Sequence, residues 1–168
     1  MTHFLSYWRP NTVERVAPYG HVLDHSASGH YGRVKPRDTV WIVTFRNSAL
    51  WLVGRIAVGQ VTDQAGAERH FERDDLWKAK WHIIADKVTE PRGLDLDIQD
   101  LAGSLRFESP RGHDRLSFRV DGTVNRQQLQ AMRVLSVSSA NLLTRRMREA
   151  IHSKDLVDPE DEDYTATA

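Results

Sequence analysis

The chain has 168 residues, enough for one domain with a sizeable core, and its 40% apolar and 27% charged content fits a soluble globular protein. It has no cysteine, which excludes a disulfide framework and a thiolate metal site, and no apolar run near the roughly 20 residues that span a bilayer. The formal net charge is zero, but residues 155–168 hold six acids and no Lys or Arg, so residues 1–154 alone carry 23 basic and 17 acidic side chains, a net +6. A basic body permits a polyanionic partner. The opening MTHFLSYWRP is too short and too polar for a signal peptide, and a cytoplasmic location is expected.

His3 to Trp8 reads as an aromatic-rich first strand. NTVERVAP follows as a short helix, with Asn11 as cap, Glu14 three residues on and Pro18 as stop. Residues 19–35 show no period and read as one long loop, a length that often carries function. TVWIVTF (39–45) and ALWLVGRIAVGQV (49–61) are the strongest strand signals, joined by a turn at 46–48, with Gly54 and Gly59 as bulge sites. This hairpin is expected at the centre of the sheet. A turn at 63–66 leads into a polar, helical stretch through Asp75. Residues 80–88 read as a strand, and Pro91, Arg92 and Gly93 as a turn. LDLDIQDLAG reads as a short helix, with strands at 104–109 and 115–120.

The remainder reads as two helices. Asn125 and Gln128 start NRQQLQAMRVL, and Ser136 caps VSSANLLTRRMREAIHSK. The acidic tail, 155–168, is too poor in apolar residues to pack and is expected to be disordered. Residues 1–154 thus form a single domain of α+β class, built on a curved, barrel-like sheet with short helices around it.

Several chemistries fail on spacing. His21, His25 and His30 lie in a Gly/Ser-rich loop with no third-ligand pattern, so no metal is assigned. Asp24, His25 and Ser26 are adjacent and cannot be arranged as a triad, and the nucleophile elbow is absent. Asp95, Asp97 and Asp100 lack the following lysine of a nuclease centre. No Walker-type loop or dinucleotide fingerprint is present, so no cofactor is expected. Arg145, Arg146 and Arg148 would lie on the recognition helix of a helix-turn-helix. However, Leu143, Met147 and Ile151 give that helix a packing face instead. No catalytic residue is assigned.

The five tryptophans carry the strongest functional signal. Trp41 and Trp51 fall in the central hairpin and read as core, while Trp81 opens a strand. Trp8 precedes Arg9, and Trp77 precedes Lys78 in DLWKAKWHIIADK. A flat ring beside a cation suits stacking on a planar ligand such as a nucleobase, with phosphates held nearby.

The order of elements resembles the PUA-like superfamily, in its EVE and YTH branches, over most of residues 3–150. FLSYWRP is similar to the EVE opening strand. HVLDHSASGHYGRVKPRDTVWIVTF is similar to the pocket loop running into the central strand, with Arg37-Asp38 where the family has glycine-aspartate. LWLVGRIAVGQV resembles the strand after the hairpin turn. DLWKAKWHIIADKV is close to the YTH segment whose tryptophan walls a cage for a methylated base, and Trp77 matches it. The cage's second tryptophan is followed by serine in YTH domains, and here His25-Ser26 stands there.

The resemblance implies a PUA-like pseudo-barrel and a non-enzymatic reader. It would flip a modified base into an aromatic pocket, with 5-methylcytosine or 5-hydroxymethylcytosine in DNA expected. Such a domain acts alone or as the specificity module of a modification-dependent nuclease. The alternative is a PUA- or YTH-like RNA-binding protein, and a small metal-dependent hydrolase stands behind both. Trp77 with Trp8 or Tyr31 would stack on the base, and His25, Ser26 and Ser28 would read its polar edge. Arg33, Lys35, Arg37, Lys78 and Lys80 would hold phosphates.

Overall fold

The β-branched run from Thr39 forms β3 (Thr39–Arg46), which is buried on both faces. The turn at Asn47 and Ser48 (φ +47° and +64°) returns it as the 14-residue β4 (Ala49–Thr62). Two successive positive φ values match the twist of a tight hairpin, and asparagine tolerates them well. The computed structural model describes residues 1–16, 23–87, 95–109 and 112–155. The predicted turn at Pro91–Gly93 and the acidic tail from residue 156 lie outside the described residues, as do Pro18 and His21.

The remaining elements are β1 (His3–Tyr7), α1 (Pro10–Val16), β2 (His25–Ser28), α2 (Gln64–Phe71), β5 (Trp81–Ala85), β6 (Leu96–Asp97), α3 (Gln99–Ala102), β7 (Arg133–Leu135) and α4 (Val137–Asp155). Among the described residues, seven strands form one mixed sheet in the order β2-β5-β4-β3-β1-β7, with β6 also on β4. β1 runs parallel to β3, and the other pairs are antiparallel. Residues alternate between two cores. Phe4, Val40, Ile42, Tyr31 and Ile83 pack on one face, and Leu5, Trp41, Val43, Leu143 and Met147 on the other.

The fold is α+β, as read from sequence. The sheet is not a closed barrel: its order has two ends, β2 and β7, and no ladder among the described residues joins them. It is nevertheless strongly curved. Four strand spacings separate β2 from β1, about 19 Å in a flat sheet, yet Trp8 Nε1, one residue beyond β1, lies 3.1 Å from Ser26 Oγ. β4 makes the bend. Its pairing slips by one residue beside Gly54 and again at Gly59, so its first half serves β3 and its second half β5.

Four expectations are corrected. The long loop at 19–35 contains β2, followed by a 3-10 helix (Gly29–Arg33) that Ser28 caps by accepting the His30 N–H. The HSAS segment carries no hydrophobic alternation because it is an edge strand, bonded through its backbone on one side only. The predicted strands at 104–109 and 115–120 reduce to single bridges, Phe107 to Leu135 and Phe118 to Val124. NRQQLQAMRVL is a 3-10 turn (Arg126–Leu129) followed by β7, because pairing with β1 overrides its helical spacing. Finally, α1 begins at Pro10, a residue suited to the first helical position, and Asn11 lies within it. Ser136 does cap α4, accepting the Ser139 N–H at 3.2 Å.

The bend at Gly59 is testable. A Cβ there would stand 2.6 Å from the Asp86 Cα, a backbone atom that cannot swing away. Gly59→Ala is expected to cost about 1–3 kcal/mol in urea unfolding. Gly29→Ala, which meets nothing within 4 Å, should change stability by less than about 0.5 kcal/mol.

Candidate functional site

Curling brings the C-terminal end of β1 near β2 and leaves a cleft of about 530 Å³ between them. Ser6 to Arg9, with Asn11 and Thr12 of α1, form one side. His25 to Gly29, with Tyr31, form the second, and Trp77, Lys78 and Ala79, on the segment between α2 and β5, form the third. All six residues assigned to a pocket from sequence, Trp8, His25, Ser26, Ser28, Tyr31 and Trp77, line this one cleft. Trp77 is 47% exposed.

The wall between the strands is a chain of hydroxyls. Trp8 Nε1–H donates to Ser26 Oγ, which lies 2.7 Å from the Tyr31 hydroxyl, itself 3.1 Å from Ser6 Oγ. Tyr31 is fully buried, and burial pushes its phenol up, so it keeps its proton. The turn out of β1 is fixed by Trp8 N–H on the Val43 carbonyl at 2.9 Å and by the Arg9 carbonyl, which accepts from Thr12 and Val13.

Behind the cleft lies a second chain. His25 Nε2 is 2.7 Å from His82 Nδ1, and the rings lie within 16° of parallel with centroids 5.0 Å apart, an edge-to-edge arrangement. His82, fully buried on β5, reaches Gln64 Oε1 through Nε2 at 2.9 Å. The same oxygen accepts the Ala79 N–H at 3.1 Å, and Gln64 Nε2 donates to Glu68 Oε1 at 2.7 Å. Gln64 therefore anchors both the histidine pair and the segment that carries Trp77. Burial first, then the neighbouring His82, Arg73 and His70, push the His25 imidazole down to about 4. His82 is lowered too, chiefly by burial.

The expected phosphate contacts separate. Lys78 lines the cleft and is exposed. Arg33, Lys35, Arg37 and Lys80 do not line it. Arg33 donates to the Met132 carbonyl and lies over the Phe4 ring, and Lys80 lies over the Trp81 ring. Lys35 and Arg37 precede β3 where it starts beside His3, whereas the cleft opens at the Tyr7 end, four residues or about 13 Å further along β1.

Arg9, noted in the sequence beside Trp8 but not assigned a phosphate contact, is a cation on the cleft. Sequence reasoning missed Gln64 and His82, whose roles have no sequence signal because strand pairing and the α2 N-terminus bring them together. No Asp or Glu is among the described residues lining the cleft. Of the other tryptophans, Trp41 is fully buried in the core, Trp51 is half-buried beneath the Arg46 guanidinium, and Trp81 packs where Gly32 has no side chain. Arg145 and Arg148 are exposed on α4, Arg146 pairs with Asp100, and Leu143 and Met147 pack the helix on the sheet.

Among the described residues, no helix is long and apolar enough to cross a membrane. No family model and no curated protein matches the chain. A solved structure described as "Structure of Hypothetical protein from Leishmania major" resembles it with a TM-score of 0.46 and 13% sequence identity, over 89% of this chain and 96% of that one.

The depressed His25 gives a pH dependence of known sign. The unfolded chain binds a proton near 6.5 and the folded one only near 4. Stability from this group is full above about pH 6.5 and is lost as pH falls toward 4, by at most about 3 kcal/mol. Calorimetry across that interval should show His25→Phe losing less stability than the parent protein.

Proposed function

We propose that this protein is a nucleic-acid-binding reader that takes a single flipped base, a modified cytosine in DNA, into the cleft between β1 and β2. The observation that carries the reading is the composition of that cleft. An exposed tryptophan and a half-buried one stand at a concave site whose polar groups are neutral, with two cations and no acid among its described lining residues. Its volume lies in the range of small-ligand sites, about 300–1,000 Å³. A flipped base needs aromatic faces to replace its lost stacking and polar groups to meet its hydrogen-bonding edge.

In this reading Trp77 stacks on the base and Trp8, held by Ser26, forms the opposing wall. His25, Ser26 and Ser28 face the polar edge. Arg9 and Lys78 hold the flanking phosphates, in place of the more distant Lys35 and Arg37. The strongly curved sheet and the parallel β1–β3 pair support a PUA-like architecture, as the sequence resemblance implies. The protein binds rather than catalyses, alone or as the specificity module of a modification-dependent nuclease.

A binding panel tests this reading with DNA duplexes carrying cytosine, 5-methylcytosine or 5-hydroxymethylcytosine and an RNA carrying methyladenine. Base stacking on an aromatic side chain contributes about 1–3 kcal/mol. Trp77→Ala is therefore expected to weaken binding of the preferred duplex about ten-fold or more, with unchanged thermal stability because the ring is half exposed. Undiminished binding by the folded variant overturns the assignment of Trp77. Preference for the RNA over every duplex overturns the DNA target.

A further inference from the structure

The chain behind the cleft determines what His25 can present to a ligand. Gln64 Oε1 accepts a backbone N–H from Ala79, and Gln64 Nε2 donates to the Glu68 carboxylate, so the amide orientation is set. His82 Nε2 faces that oxygen at 2.9 Å and must carry the proton, which leaves His82 Nδ1 bare. His25 Nε2, 2.7 Å from it, must then carry a proton as well. In a neutral imidazole only one nitrogen remains, and it is an acceptor. His25 lines the cleft, and Nδ1 is the one polar side-chain atom it has left to offer.

Building on the base-reading function above, we propose that His25 Nδ1 is the specificity-determining acceptor of the cleft. It takes an N–H from the exocyclic amino group of the bound base and so selects amino bases over their oxo counterparts. An oxo base would set a carbonyl lone pair against the nitrogen lone pair. Sites built to meet a hydrogen bond reject ligands that cannot make it, because the buried group is left unpaired. Gln64 acts as a positioning residue. Its single carbonyl oxygen fixes the tautomer of the pair and also pins the segment bearing Trp77.

The surroundings keep the acceptor in its neutral form. His25 faces His82 from β5 and Phe71 from α2, with His70 and Arg73 close by, while Arg9 and Lys78 stand along the cleft. Every cation in this set opposes a proton on His25, and Glu68 and Asp63 act on His82 instead. The acceptor therefore persists well below the pH at which a free histidine becomes a donor.

The test uses single-stranded oligodeoxynucleotides that differ at one position, 5-methylcytosine or thymine. These bases share the ring skeleton and the methyl group; they differ at C4, amino against oxo, and at N3, bare in 5-methylcytosine and protonated in thymine, so the loss of preference in His25→Phe assigns the C4 share. Fluorescence anisotropy is expected to give a preference for 5-methylcytosine of about ten-fold or more, unchanged from about pH 8 to about pH 5.5. His25→Phe should bring the ratio close to one, and Gln64→Leu should reduce it by releasing the tautomer. Imidazole nitrogen shifts should show the Nε2–H form of His25 in the parent protein. An unchanged ratio in folded His25→Phe, a ratio that falls through the ordinary histidine range, or an Nδ1–H tautomer overturns this inference while the reader function stands. Failure of the parent protein to bind any oligonucleotide overturns both.

Discussion

The contact between Trp8 and the Ser26–Tyr31–Ser6 chain is the constraint on which the site depends. It joins two strands that the hydrogen-bonded ladder places four positions apart, and it does so with side chains rather than with backbone. These groups are buried or nearly so, and an unpaired polar group there would cost about 1–3 kcal/mol. Each is met by another. The three hydroxyls share two bonds, so two of their three protons are used within the chain. The third remains at Ser26 or at Ser6, according to which way the Tyr31 hydroxyl points, and both serines line the cleft. The bonds between the two strands thus leave one hydroxyl proton outside the chain, and it can shift between the ends by rotation of the hydroxyls.

The third side of the cleft depends on the N-terminus of α2. Asp63 caps that helix by accepting the Gly66 N–H at 2.8 Å, which places Gln64 in its first turn with its side chain toward β5. From there one amide reaches the Ala79 backbone, the buried His82 and Glu68. The segment bearing Trp77 has no regular secondary structure, so this contact ties it to the body of the fold. A stacking wall on an irregular segment needs such an anchor, because a group must be held in place to contribute binding free energy.

Legibility in the sequence followed how local the determining interactions are. The β3–β4 hairpin was readable because its β-branched run, its turn and both bulge glycines lie in one stretch of chain. The packing face of α4 was readable from its period. β2 was not, since four small or polar residues become a strand only because β5 offers its edge. β7 was read as helix as part of NRQQLQAMRVL, from the cap pattern of Asn125 and Gln128, and only β1, more than a hundred residues earlier, makes it a strand. The six pocket residues, aromatic or polar side chains in three separate stretches of chain, were grouped by their chemistry and by the family resemblance. Arg33, Lys35 and Arg37 fall outside the cleft although they follow the pocket loop in sequence: Arg33 ends the 3-10 helix, and Lys35 and Arg37 come after it, where the chain enters β3 at the end away from the cleft.

The tryptophans divide by exposure. Trp41 is buried in the core, and removing it would leave a large cavity. Trp8 is half-buried, and its indole N–H is used in the Ser26 contact, so its loss would affect the curl and the cleft together. Trp77 differs from both. It is 47% exposed, it caps no core, and it stands at a cleft with Lys78 beside it. A large apolar ring kept partly in water gains little for the folded state, since the hydrophobic contribution scales with area removed from solvent. The area it leaves exposed lies at the cleft. The combination of an exposed ring, an anchored segment and an adjacent cation is what favours Trp77 for the proposed stacking role, and it is the part of the cleft least constrained by folding.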